Sequence, residues 1–169
     1  MLSSALAAVA GYTDWRSRRV PNWLTVPGLV AGVAANSWAA GWAGARTSLL
    51  GASLGLALLL PFVLIRALGA GDFKLAGALG AFLGPARLLD VLFAAILVAG
   101  VMAAVLIVWK GRARQTLRNL WHMMAALLTL HMPGSEVSLD NPQALKVPFG
   151  VAMAIAAILY TAGQAWGRL

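Results

Sequence analysis

Two aspartates stand where carboxylates are expensive. Asp14 follows the apolar stretch 2–9 and precedes WRSRRVPNWLT. Asp72 lies in GAGDFK, residues 69–74, between the apolar runs 49–65 and 75–83. The 169-residue chain holds only five acidic residues, and a carboxylate at the edge of hydrocarbon is costly to keep there. Two such groups facing each other have a direct chemistry, hydrolysis of a peptide bond. An ionised carboxylate takes a proton from water while a protonated one polarises the scissile carbonyl. Held close enough to share a proton, the two cannot both ionise easily, and their apparent pKa values split. The sequence leaves open which of the two carries the proton.

Neighbouring residues extend this reading. Gly69 and Gly71 put bare backbone beside Asp72, so an extended substrate could approach the carboxylate closely. Lys74 is a candidate for binding a substrate carboxylate or steadying an anionic intermediate. Each residue also has a plainer role when taken singly. GAGD would be a tight turn with Asp72 as helix cap, Asp14 a counterion to Arg18, and Lys74 a snorkelling interfacial lysine. Pro21 and Asn22 read as a turn and the cap of the next helix. His122 and His131 read as interfacial residues, and Glu136 and Asp140 as solvated loop acids. Only the two aspartates together, on one side of a membrane, favour catalysis.

Composition supplies the membrane. With 61% hydrophobic residues, the chain carries more apolar side chain than a soluble core of this size can hide. The expected fold class is therefore an all-α polytopic membrane protein. A net charge of +8 on a soluble protein would suggest nucleic acid. Here the charges are confined to short segments between apolar runs, so lipid headgroups and topology explain them better, and no nucleic-acid partner is expected. The absence of cysteine excludes disulfides, thiolate metal sites and cysteine catalysis. Two histidines do not make a metal site without carboxylates, and no metal or cofactor is expected.

The apolar runs predict a single domain, 1–169, with six transmembrane helices at about 1–13, 24–43, 48–65, 73–84, 91–109 and 147–166. Residues 110–146 form the longest segment between spans. Its first half has the pattern of a basic amphipathic helix lying in the cytoplasmic interface, with Leu117, Leu120, Trp121 and Met124 on one face and Arg114, Arg118 and His122 on another. Segments 14–23, 66–74 and 110–146 hold ten of the thirteen basic residues. That asymmetry places Asp14 and Asp72 on the cytoplasmic face and both termini outside. Ala8-Val9-Ala10 imitates a signal-peptidase site, but the run lacks a basic lead-in, and a retained first helix is expected. At about 1.5 Å per residue, helices 1–13 and 73–84 fall short of roughly 30 Å of hydrocarbon. The first helix either starts upstream, runs on past Asp14, or sits in thinned bilayer. Short aspartate-bearing helices fit carboxylates at or just below the surface, within reach of water.

The residues then resemble a known family. An aspartate after the first helix, followed by R-x-R-R-V-P-N-x-L-T, and G-x-G-D-x-K opening the fourth helix are similar to the motifs of the type IV prepilin peptidases. These are membrane aspartyl proteases of the GxGD kind. KVPFGVAMAIA, residues 146–156, is similar to the start of the family's last helix. The resemblance implies that Asp14 and Asp72 are the catalytic pair. It further implies a bacterial inner-membrane enzyme that removes the basic leader of a prepilin-like protein, after a glycine and before the pilin's hydrophobic helix. Larger members carry an additional cytoplasmic domain, often with clustered cysteines, and N-methylate the new amino terminus. This chain has neither feature, so peptidase activity without methylation is expected. Its size resembles the short peptidases of tight-adherence (Flp-type) pilus systems. The competing expectations are a small transporter whose aspartates bind a cation or relay protons, a non-catalytic scaffold of a secretion apparatus, and an archaeal preflagellin peptidase. Oligomeric state is not legible.

Overall fold

A computed structural model of the chain describes residues 2–65, 67–111, 121 and 147–167. They form four α-helices: α1 (Leu2–Ser17), α2 (Asn22–Leu64), α3 (Ala70–Trp109) and α4 (Phe149–Ala165). Among the described residues there is no strand. The all-helical expectation therefore holds. The proposed interfacial helix lies outside the described residues, save 110, 111 and 121.

Two helices are longer than any single expected segment. A straight 43-residue helix would reach about 65 Å, twice the thickness of a bilayer's hydrocarbon. Each long helix is broken once. In α2 the break falls at Ala40 and Gly41, with Gly41 at φ 56°. In α3 it falls at Gly84, φ 76°, directly before Pro85. Both glycines occupy backbone space that a side chain would strain, which is why the turns fall there. The second break falls at the expected end of the fourth segment, but the expected connection over 85–90 is helical. The first replaces an expected loop over 44–47, because the helix resumes at once after Gly41. Each of α2 and α3 is long and apolar enough to cross a membrane.

Other boundaries also moved. Of the three options for the first helix, the structure takes continuation past Asp14, with the helix ending at Ser17. Asn22 does not cap α2. Pro21 holds that position, and Asn22 is the first helical residue. A proline is already extended and lacks an N–H, so it serves as a helix entry without a capping side chain.

Small residues govern the packing. In α2, Gly51 and Gly55 meet α3 at Gly80 and Ala76, backbone against backbone, and Gly77 receives the Leu56 side chain. This is the close approach expected from the spacing of Gly77, Gly80 and Gly84. Helix α1 lies antiparallel to α4, since its Asp14 end meets Val151 while Ser4 bonds Thr161 at 2.8 Å. Gly11 makes room there for Ala154. Leu75, Leu79, Leu88 and Val91 of α3 and Met153 of α4 are fully buried where these helices join.

A polar knot repairs the break in α3. Pro85 has no N–H to offer the carbonyl of Ala81. Ser48 Oγ donates to that carbonyl at 2.6 Å and Asn36 Nδ2 at 2.9 Å. Asn36 Nδ2 also reaches the carbonyl of Phe82 at 3.2 Å and Ser48 Oγ at 2.8 Å. Both halves of α2 are thus tied to one point of α3. Asn36→Leu leaves these acceptors short of donors and is expected to destabilise the fold by about 1–3 kcal/mol. Thermal unfolding in detergent checks this, and an unchanged melting temperature contradicts it.

Candidate active site

Helix α1 ends in an unusual way. Its last turn carries Asp14, and Arg18 N–H closes on the Asp14 carbonyl at 2.8 Å. Arg18 itself adopts φ 53°, a left-handed conformation usually left to glycine. The chain turns back there and lays Val20, which is buried, against Gly71. A Cβ on Gly71 would stand 3.0 Å from the Val20 nitrogen and 3.1 Å from its carbonyl oxygen. The bareness of Gly71 thus docks the end of α1 onto the start of α3.

Asp72 stands in the first turn of α3, with Gly69 in the N-cap position. The plainer reading of Asp72 as the cap does not apply, because that position belongs to Gly69. Asp14 and Asp72 line one cavity of about 300 Å³ together with Arg18, Arg19, Val20, Gly69, Ala70 and Gly71. The structure therefore brings together four of the five residues singled out from the sequence. Lys74 is the fifth, and it does not line this cavity. Its Nζ donates to Asn22 Oδ1 at 2.9 Å, bracing the start of α3 against the start of α2.

The third side of the site comes from α4. Pro148 precedes this helix, and its first internal bond runs from Ala152 N–H to the Pro148 carbonyl. The N–H groups of residues 149–151 therefore have no partner within the helix. Val151 N–H donates to Asp14 Oδ2 at 3.2 Å. Gly150 N–H faces both carboxylates. A Cβ on Gly150 would lie 2.9 Å from Asp14 Oδ2 and 3.0 Å from Asp72 Oδ1. The two carboxylate oxygens are thus separated by no more than the sum of those distances, close enough for each to feel the other's charge. Sequence reasoning missed Gly150 and Val151 as part of the site. In the sequence, residues 146–156 only resemble the start of the family's last helix, and nothing local to them says that their N–H groups would meet an aspartate 137 positions away.

Asp14 lies just past the expected span 1–13 and is only 5% exposed. Burial holds its pKa above the ordinary carboxylate value, against the opposing pull of the Val151 and Gly150 N–H groups and the Arg18 charge. Asp72 faces the same choice, since two carboxylates at this range cannot both ionise cheaply. The arrangement can hold one water between one anion and one acid. Asp90, a further acid of α3 not singled out in the sequence, stands apart and accepts the Tyr160 hydroxyl at 3.2 Å.

Comparison with known proteins identifies the family. The family model described as the type IV leader peptidase family matches residues 1–105, and the chain belongs to that family. Similar relatives include a "Prepilin leader peptidase/N-methyltransferase" of Burkholderia pseudomallei (strain 1026b), 37% identical over 120 residues, which are 67% of this chain and 38% of the relative. A protein with the same description from Xanthomonas campestris pv. campestris is 34% identical over 123 residues, 69% of this chain and 42% of the relative. The chain thus spans about two-fifths of the length of the curated relatives it matches. No solved structure matches it.

The raised pKa of Asp14 has a consequence for stability. Below about pH 4 the group is protonated folded or unfolded, and its burial costs no charge. As pH rises through the folded-state value, keeping the ionised group buried costs stability. Asp14→Asn keeps an acceptor for Val151 N–H and removes that charge. It is expected to raise the melting temperature in detergent at neutral pH, with the gain shrinking as the pH falls towards the ordinary carboxylate value. A gain that grows in acid would contradict the assignment.

Proposed function

We propose that the chain is a membrane aspartyl endopeptidase that removes the basic leader of prepilin-like proteins at the cytoplasmic face of the bacterial inner membrane. The observation that carries this reading is the meeting of Asp14 and Asp72 over the first turn of α4, in a cavity both of them line. Asp14 accepts a backbone N–H from the start of α4, next to Arg18, and is the better-supported anion. It takes a proton from the bridging water, whose oxygen attacks the scissile carbonyl carbon. Asp72 gives its proton to the carbonyl oxygen, so a neutral diol forms. The carbon–nitrogen bond then breaks as Asp14 passes its proton to the departing nitrogen. Asp72 recovers a proton from a diol hydroxyl. Atoms and charge balance, and the protein supplies no other reactant.

Gly69 lines the cavity beside Asp72 and gives the substrate backbone a side free of side chain, whereas the bare face of Gly71 is taken by Val20. Lys74 acts here as a brace for α3 through Asn22. A second recess of about 550 Å³ lies between Trp15, Arg18, Val101, Met102, Val105, Leu106, Trp109 and Pro148. It shares Arg18 with the aspartate cavity and is mostly apolar, which suits the hydrophobic stretch after the cleavage point. The membrane setting is supported by the outward-facing apolar side chains of α2 and α3, among them Phe62, Phe93, Ile96, Leu97 and Val101. In this reading six helical segments cross the bilayer, with the arginine-rich end of α1 towards the cytoplasm. The narrower assignment to Flp-type substrates rests on the resemblance in the sequence, as does the expectation of peptidase activity without methylation.

Co-expression with candidate prepilins, followed by N-terminal mapping of the product, tests the reading. Asp14→Asn and Asp72→Asn are each expected to abolish the size shift while the protein stays inserted. Retained cleavage by Asp72→Asn would overturn the assignment. Ion-dependent flux with no change in the pilin would favour a transporter.

A further inference from the structure

We propose that Gly150 is a positioning residue, and that its missing side chain is what allows the two carboxylates to meet. This rests on the peptidase reading above. Gly150 is the second residue of α4, and its φ is not among the positive values that glycine alone tolerates well. Backbone freedom therefore does not explain it. Alanine is in fact the better helix former. What remains is space, and that space is taken by reacting groups. A Cβ there would lie 2.9 Å from Asp14 Oδ2, 3.0 Å from Asp14 Cγ and 3.0 Å from Asp72 Oδ1.

Other tight glycines differ in what they face. Gly11 and Gly77 meet hydrocarbon side chains, and Gly51 and Gly80 meet each other's backbone. Gly69 would touch Asp72 alone, at 3.3 Å. Among the described glycines, Gly150 is the one whose bare face is shared by both aspartates. A methyl group placed there must either push the carboxylates apart or tilt the start of α4 away. Tilting would stretch the bond from Val151 N–H to Asp14, already 3.2 Å long. Both outcomes spoil the geometry in which the two carboxylates could share one water.

Gly150→Ala separates this role from a merely structural one. The purified variant, assayed on the prepilin used to test the peptidase reading, is expected to be inserted and folded, with at most a modest loss of heat stability. Its KM should stay within about twofold, and its kcat should fall about a hundredfold, as for an ångström-scale misplacement of reacting groups. Spreading the carboxylates also weakens their coupling, so the two limbs of the pH–rate profile should move closer together. Arg18 and Arg19, which line the same cavity, are unchanged in this variant. Wild-type turnover would overturn the proposal. A raised KM with unchanged kcat would make Gly150 a substrate contact, and failure to insert would make it a packing residue; each overturns the proposal too. A fully active Gly150→Ala beside an inactive Asp72→Asn sinks this inference alone, whereas an active Asp72→Asn sinks the reading beneath it.

Discussion

The first turn of α4 needs acceptors, and two carboxylates need donors. Each need answers the other. Unpaired N–H groups at a helix start are costly when buried, and so is a buried carboxylate without a partner. Pro148 contributes no donor of its own, so the groups of residues 149–151 are the ones exposed. Asp14, carried in on α1, accepts from Val151. The bond joins residues 137 positions apart and ties the start of the chain to its last described helix. Asp72 reaches the same place by another route, through Gly71 against Val20. Three helix ends thus meet at one spot, and the pairing of the two carboxylates follows from how they satisfy one another.

Holding three ends together in so apolar a chain asks for close backbone approach. Between membrane helices burial against lipid gives little drive, and association depends on packing and internal hydrogen bonds. Both devices are present. Gly51 against Gly80 brings the backbones of α2 and α3 together. Asn36 and Ser48 then close the carbonyls that Pro85 leaves open. The break at Gly84 limits the first half of α3 to 70–83, about 20 Å at the usual rise. A piece that short keeps the Asp72 end from passing far beyond a surface level with the end of α1. The polar knot is therefore remote from the aspartates but helps set where one of them stands.

What could be read from the sequence follows the same division. The aspartates were legible because a carboxylate in hydrocarbon is anomalous wherever it sits. Most helical segments were legible because apolar runs between arginines carry the signal locally. The loop at 44–47 was misplaced because Gly41 breaks the helix without polar residues to announce it. Asn22 looked like a cap by residue type, but Pro21 took that position and left its side chain for Lys74. Gly71 looked like access for a substrate. Its bare face is largely taken by Val20, a residue with no chemical mark of its own. Gly150 carried no signal at all, since a glycine in an apolar helix reads as packing until the two acids are seen against it.

A carboxylate pair of this kind must be dry enough to share a proton and wet enough to hold a water. The structure meets both conditions by asymmetry. Asp14 is nearly enclosed and receives a backbone N–H, so fixed dipoles that need not reorganise offset part of the cost of burying its charge. Asp72 is less enclosed, stands at the other wall of the cavity and has the first carboxylate as its neighbour. Adding a second negative charge there would set two anions across one water, with Arg18 and Arg19 as the cations lining the cavity. Removing the first would leave the α4 N–H groups facing neutral acids, which accept less strongly. The singly protonated pair lies between these two costs. That state is also the one that peptide hydrolysis by a carboxylate pair, the reaction proposed above, requires at its start.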